Sequence, residues 1–363
     1  MSKTLSTTPF ATPPGDTLLE TITALGMSQV ELESRTGINK KTINQIIKGK
    51  EPITQKTALA LEKALKVPAR FWLNMDNRYR EQLAREADQK AMETHSEWVK
   101  GFPYAEMVKV GFVQAAATLG EKAAKLLEFF SVSNPEGWKE MYAGVNIELS
   151  YRKSATAKDK AAALSAWLRQ GEIQADAEPC GEFDEPAFVK ALETIRGFTT
   201  EAPKVFFPKM KKLCAEAGVV YLLVPELPGL GISGVMRWYR GRPLIQQSLL
   251  FKSNDHFWFT FFHEAKHVLQ KRKKDIFLEG VNAGHEDAQR EEEANQFAGQ
   301  LLIPEIEWQW FVKDVAKIES AAIRAFAQRI KIHPGVVVGR VMREKLLPYS
   351  HPARNLIAKF QWA

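Results

Sequence analysis

Cysteine is nearly absent: Cys180 and Cys214 are the two in a chain of 363 residues. Two thiols are too few for a disulfide framework or a thiolate metal site. Any metal here must therefore be held by histidine and carboxylate. Long apolar runs are missing as well. Stretches such as Val219–Val224 and Phe257–Phe262 fall far short of the roughly 20 residues that span a bilayer. The first 15 residues are rich in Ser, Thr and Pro and carry no apolar run of the kind a secretory signal needs. Neither sign of charge dominates, since 50 Lys+Arg against 43 Asp+Glu leaves +7. A hydrophobic content of 45% and a charged content of 26% exclude wholesale disorder. The expectation is a soluble, cytoplasmic chain of two or three domains with no membrane contact.

What is present divides into four regions. Residues 1–15 read as a flexible arm, and 16–80 as short amphipathic helices separated by brief turns. Residues 81–197 read as a helical linker or middle region punctuated by Pro103, Pro135 and Pro186. From 198 to 363 the character is mixed. Gly218–Leu227 is dense in Val, Leu and Tyr and predicts a strand. Ile232–Trp238 and Pro243–Ser248 predict a hairpin, and helical spacing returns from Asn254 onward. The fold class is α+β and mostly helical, a helical N-terminal bundle followed by a domain with a small sheet. Ile232–Trp238 is expected at the sheet edge, where an extended peptide could lie with Arg237 near it. The tail from Ala325 to Val338 has a second helix–turn–helix rhythm. Its last helix is apolar, which points to packing instead of base reading.

Ser28 can cap a helix, with Glu31 three residues on completing a capping box. Gly37 supplies a left-handed terminator and Ile38 a plug between helices. Asn39 caps the next helix, whose Ile43, Ile46 and Ile47 lie on one side. Its other side carries Lys40, Lys41, Thr42, Asn44, Gln45 and Lys48, side chains that reach phosphates and base edges in a major groove. Arg35 to Lys50 holds five basic residues and no acidic one.

His263-Glu264-Ala265-Lys266-His267 is the sharpest signal. Residues four apart share a helix face, so both imidazoles can meet one zinc ion. Glu264 lies about 100° round the helix, placed to take a proton from water. Asn254 or Asp255 can cap this helix. A third ligand is sought in Glu291-Glu292-Glu293, where only one carboxylate can face the metal well. Glu291 shares a face with Asn295, an amide able to orient a histidine, while Glu293 is nearly opposite. Lys271–Lys274 reads as a basic helix terminus, and His285-Glu286-Asp287 as a secondary polar cluster whose histidine could stabilise an oxyanion.

Two resemblances follow. Residues 14–80 resemble the Xre/Cro-type helix-turn-helix, and specifically its HigA-type antitoxin branch. The matching elements are Pro14-Gly15-Asp16, Gly49-Lys50-Glu51-Pro52-Ile53-Thr54 and Phe71-Trp72-Leu73-Asn74. This implies a double-stranded DNA operator, base reading by Thr42, Asn44 and Gln45, phosphate contacts by Lys40, Lys41 and Lys48, and a homodimer on a palindromic site. Residues 198–304 are similar to the ImmA/IrrE family of zinc-dependent peptidases. The matches are Phe259-Thr260-Phe261-Phe262-His263-Glu264 and Glu291-x-x-x-Asn295-x-x-Ala298-x-x-Leu301-Leu302-x-Pro304. That resemblance implies His263, His267 and Glu291 as zinc ligands and Glu264 as general base. Ala265-Lys266 stands where the family usually has Leu-Gly, and Lys266 is expected to face solvent. The combined expectation is a DNA-binding regulator with a zinc peptidase domain, residues 198–363, that cleaves a repressor or antitoxin. The alternative is a non-catalytic HigA-like repressor whose zincin-like domain is structural or sensory.

Overall fold

In the computed structural model, residues 12–143, 157–270, 277–278, 285–313 and 318–362 are described. The basic run 271–274 and the side chains of 285–287 lie outside the described residues. The chain divides into two compact units, residues 1–96 and 97–363. No helix among the described residues is long and apolar enough to cross a membrane.

The first unit is built from α1 (Pro14–Ala24), α2 (Gln29–Thr36), α3 (Lys40–Ile47), α4 (Gln55–Leu65) and α5 (Ala69–Thr94). Leu18, Ile22, Leu32, Ile43, Ile46, Leu61 and Trp72 make its core. The capping signals place the helix boundaries. The Ser28 hydroxyl accepts from the Glu31 amide, and Gly37 ends α2 at φ 69°. The Asn39 side chain accepts from the Lys41 amide at 2.7 Å. The reciprocal half of the capping box does not form, because the Glu31 carboxylate pairs with Arg35 at 2.7 Å. Glu33 supports α3 instead, accepting from the Lys40 amide at 2.9 Å. Helix α5 runs unbroken past residue 80, so the boundary drawn there falls inside it.

The second unit is α+β. Its sheet has the order β1 (Val220–Leu223), β3 (Arg242–Gln247), β2 (Gly234–Tyr239), β4 (Phe277–Leu278). β1 runs parallel to β3, while β2 pairs antiparallel with β3 and with β4. The expected hairpin closes through Arg240 and Gly241, both at positive φ, the conformation a two-residue turn between twisted strands requires. β2 is not the sheet edge. Val235 and Met236 pair with Leu278 and Phe277 of β4, a two-residue strand too short to carry a period-two signal.

Helix α10 (Ala157–Ala177) covers one face of this sheet, and α13 (Asn254–Leu269) the other. Strand alternation decides which side chain meets which helix. Ile245 joins the core beside α13, while its neighbour Gln246 donates to Trp167 O of α10 at 2.6 Å. The same rule turns Arg237 away from any peptide cleft. Its neighbour Met236 points into the core, and Arg237 is buried against α10, paired with Glu172 at 2.6 Å and bonded to Leu168 O.

A single core joins α11 (Glu185–Arg196), α12 (Pro203–Glu216), the sheet, α13, α14 (His285–Leu302), α16 (Ser320–Arg329) and α17 (Pro334–Arg343). Arg196 ties helix ends together. Its guanidinium donates to Leu301 O at 2.7 Å, Leu302 O at 3.1 Å and Ile330 O at 3.0 Å. The apolar tail helix packs as expected, with Val336, Val337 and Val338 buried. Cys214 is fully buried, and burial pushes its thiol well above the usual range. A buried neutral thiol is inert as a ligand.

Asn254 does not cap α13; Ser253 holds the N-cap position. The Asn254 amide instead donates to His333 Nδ1 at 2.7 Å and its oxygen accepts from Ala358 N at 3.0 Å. His333 Nδ1 also accepts from Gly335 N at 3.0 Å, so two donors require that nitrogen to be unprotonated. Burial lowers the His333 pKa, with Arg324 adding to the effect. An imidazole whose folded pKa lies below its unfolded value gives stability that is present above the unfolded pKa and lost as pH falls from there through the folded pKa. The urea midpoint of the chain should therefore decline as pH falls below about 6.5, and His333→Asn should flatten that decline. Superimposable pH profiles for the two proteins would rule out this contribution.

Candidate metal centre and nucleic-acid interface

Helix α13 is wrapped by core on nearly every side. Phe257, Trp258, Phe261, Phe262, Ala265 and Val268 are buried, and so are its polar residues Thr260, His263, Glu264 and His267. Charged or polar groups in such a place must be matched from within the protein. The match comes from α14, which packs alongside.

His263, His267 and Glu291 bring their ligand atoms within 4.8 Å of one another. The two Nε2 atoms are 3.1 Å apart, and they lie 3.2 and 3.3 Å from the Glu291 carboxylate oxygens. Donors around a four-coordinate ion with bonds of about 2.0–2.1 Å sit roughly 3.3 Å from each other. The donor set and its spacing fit a small divalent cation. Burial pushes the Glu291 carboxyl up, but hydrogen bonds and charge attraction from the two imidazoles overcome it and hold the pKa at about 2.

The spacing of four brings His263 and His267 to one face, as the sequence predicts. Of the three adjacent glutamates, Glu291 faces the imidazoles. Glu292 pairs with Gln296 at 3.0 Å, and Glu293 reaches the Gln270 amide at 3.3 Å. Asn295 Oδ1 lies 3.1 Å from His263 Nδ1, the orienting contact its position predicted. Gln270 was not foreseen, and its Oε1 lies 2.8 Å from His267 Nδ1. Its spacing of three from His267 was the available signal. Lys266 is half-buried with Nζ 5.5 Å over the Phe297 ring, a partial departure from the solvent-facing expectation.

Glu264 is fully buried and faces β2. Gly234 of that strand comes so close that a Cβ there would lie 2.9 Å from Glu264 Oε1 and 2.7 Å from the Thr260 methyl. A side chain at 234 would displace the carboxylate, so glycine is what lets strand and helix meet. A cavity of about 710 Å³ has Phe259, Asn295, Val336 and Arg343 in its wall, and it reaches the cluster's neighbour Asn295 without being lined by His263, Glu264, His267 or Glu291.

On α3 of the first unit, Lys40, Lys41 and Lys48 are exposed, and Thr42, Asn44 and Gln45 are half-buried. None of these six side chains forms a hydrogen bond or ion pair among the described residues. Arg35, counted by sequence among five uncompensated cations, is held by Glu31.

Residues 18–72 match the helix-turn-helix family, and residues 238–340 match the IrrE N-terminal-like domain. The chain joins a helix-turn-helix domain to an IrrE N-terminal-like domain. The first is a DNA-binding type of domain and the second is peptidase-like. The HigA-type subdivision is not distinguished by the match. No curated protein and no solved structure matches. The histidine pair, Glu264 and Glu291 all fall inside the IrrE-like domain.

Glu291→Ala should weaken metal binding by more than the roughly 10–100-fold typical of losing an outer partner. Titration of the metal-stripped protein against a chromophoric chelator measures this, and unchanged affinity would remove Glu291 from the ligand set.

Proposed function

We propose that this chain is a DNA-binding transcriptional regulator whose IrrE-like domain hydrolyses a peptide bond in a partner protein, a repressor or antitoxin. The observation that carries the reading is a buried glutamate, Glu264, next in sequence to a converging His263–His267–Glu291 set. A purely structural site has no use for a general base, while hydrolysis needs one.

The proposed ligands are His263, His267 and Glu291, and the proposed metal is zinc, which suits two imidazoles and one carboxylate in a catalytic arrangement. When bound, zinc supplies Lewis acidity toward a water and a substrate carbonyl. Glu264 accepts the proton of the attacking water and delivers it to the departing amide nitrogen. Asn295 holds His263 through Nδ1, leaving Nε2 for the site. Glu264→Gln should keep zinc content while lowering cleavage of the partner by about 10²–10⁴-fold. Undiminished cleavage would end the assignment.

In the first unit, the unengaged side chains of α3 support operator binding. Lys40, Lys41 and Lys48 neutralise phosphates, and Thr42, Asn44 and Gln45 meet base edges, in a homodimer on a palindromic operator. Replacing Lys40 and Lys41 together by Ala should weaken binding and reduce the log–log salt slope by about 2 per protomer. A gel shift with the original affinity and slope would exclude this face.

One observation favours the non-catalytic alternative. Glu264 is wholly shielded from solvent in this conformation, as it would be if the domain were structural or sensory.

A further inference from the structure

Glu293 lost the contest for the metal, yet its carboxylate is drawn into the centre by another route. Gln270 is the C-cap of α13, and its two amide atoms face different partners. Nε2 lies 3.3 Å from Glu293 Oε2 and 3.4 Å from Arg290 O. Both are acceptors, a carboxylate and a backbone carbonyl, so the atom facing them must be the NH₂ group. The other amide atom is then the oxygen, and it sits 2.8 Å from His267 Nδ1. An oxygen can only accept, so His267 carries its proton on Nδ1. Nε2 is then the ring nitrogen that faces the Glu291 carboxylate and His263 Nε2, the one a cation placed there would meet.

We infer that Gln270 is a positioning residue for the metal ligand His267, and that Glu293 acts through it by fixing which end of the amide meets the imidazole. The inference rests on the metal reading of the site. Asn295 and Gln270 divide the work: Asn295 orients His263 from α14, and Gln270 orients His267 from the end of α13 while reaching across to α14. The reach joins residues 23 apart in sequence. With Gln270 shortened, the hydrogen bond that selects the Nδ1–H tautomer is lost, and the Nε2–H of the other tautomer would oppose a cation. An orienting partner raises ligand basicity as well as fixing the ring.

The test is a zinc competition titration on the full chain after metal stripping, with thermal melting of each metal-free protein as the fold control. Gln270→Ala should weaken zinc binding by about 10–100-fold, with Glu293→Ala weakening it less. Gln270→Glu combined with Glu293→Gln exchanges carboxylate and amide. It keeps an acceptor on His267 Nδ1 and a donor behind it, so affinity should return to within about fivefold of the unaltered chain, well inside the loss expected for Gln270→Ala. A clamp that merely joined the helices would lower the metal-free melting temperature in Gln270→Ala, whereas a positioning residue lowers zinc affinity with that temperature kept. Native affinity in Gln270→Ala, or an exchanged pair as weak as Gln270→Ala, overturns the inference while leaving the ligand set standing. Failure of the unaltered chain to bind zinc tightly overturns both.

Discussion

The second unit depends on the burial of α13. A helix surrounded by core has to be apolar on most of its circumference, and Phe257, Trp258, Phe261, Phe262, Ala265 and Val268 meet that demand. Placing His263, Glu264 and His267 on the same helix contradicts it, and ionisable groups so deeply enclosed are unfavourable unless satisfied. Much of the neighbouring architecture answers this conflict. α14 brings a carboxylate and an amide to the imidazoles, the C-cap of α13 folds back as Gln270, and β2 gives up a side chain at Gly234 to admit Glu264. The site is thus a local violation of core composition, supported by the elements packed against it.

Much of this was legible because the signals are short-range. A cap, a left-handed glycine and a second cap within twelve residues place α2 and α3. Two histidines four apart declare a shared face without knowledge of the rest of the chain. The orienting contact of Asn295 also followed from helix geometry, through its spacing of four from Glu291. Illegible features required a distance across the fold. β4 is a two-residue strand, and only the completed sheet shows that it flanks β2. Arg237 was misplaced because an arginine in a strand reads as exposed until Glu172, 65 residues away, is seen to meet it. Gln270 carries no signal of its own in the sequence, since an amide at a helix end has many ordinary uses.

Charge accounts for the first unit in a similar way. The net +7 of the chain is unremarkable as a total. What matters is that Glu31 removes Arg35 from the reading face, while Glu33 spends its carboxylate on the α3 backbone, leaving the lysines of α3 unmatched. Pairing a cation locally lowers the field it projects, and leaving it unpaired preserves attraction for an anionic polymer.

The grip of Arg196 on Leu301, Leu302 and Ile330 has a bearing on how the protein can be dissected. Helix α14 carries Glu291 near its beginning, and its far end is held by a residue more than a hundred positions earlier. A fragment begun at residue 198 would match the peptidase-like segment on paper yet leave that cation behind. It would strip Phe188, Leu192 and Ile195 from the shared core as well. The smallest piece retaining these partners of α14 starts before Glu185, so the shared core reaches well outside the 238–340 segment that matches the IrrE N-terminal-like domain.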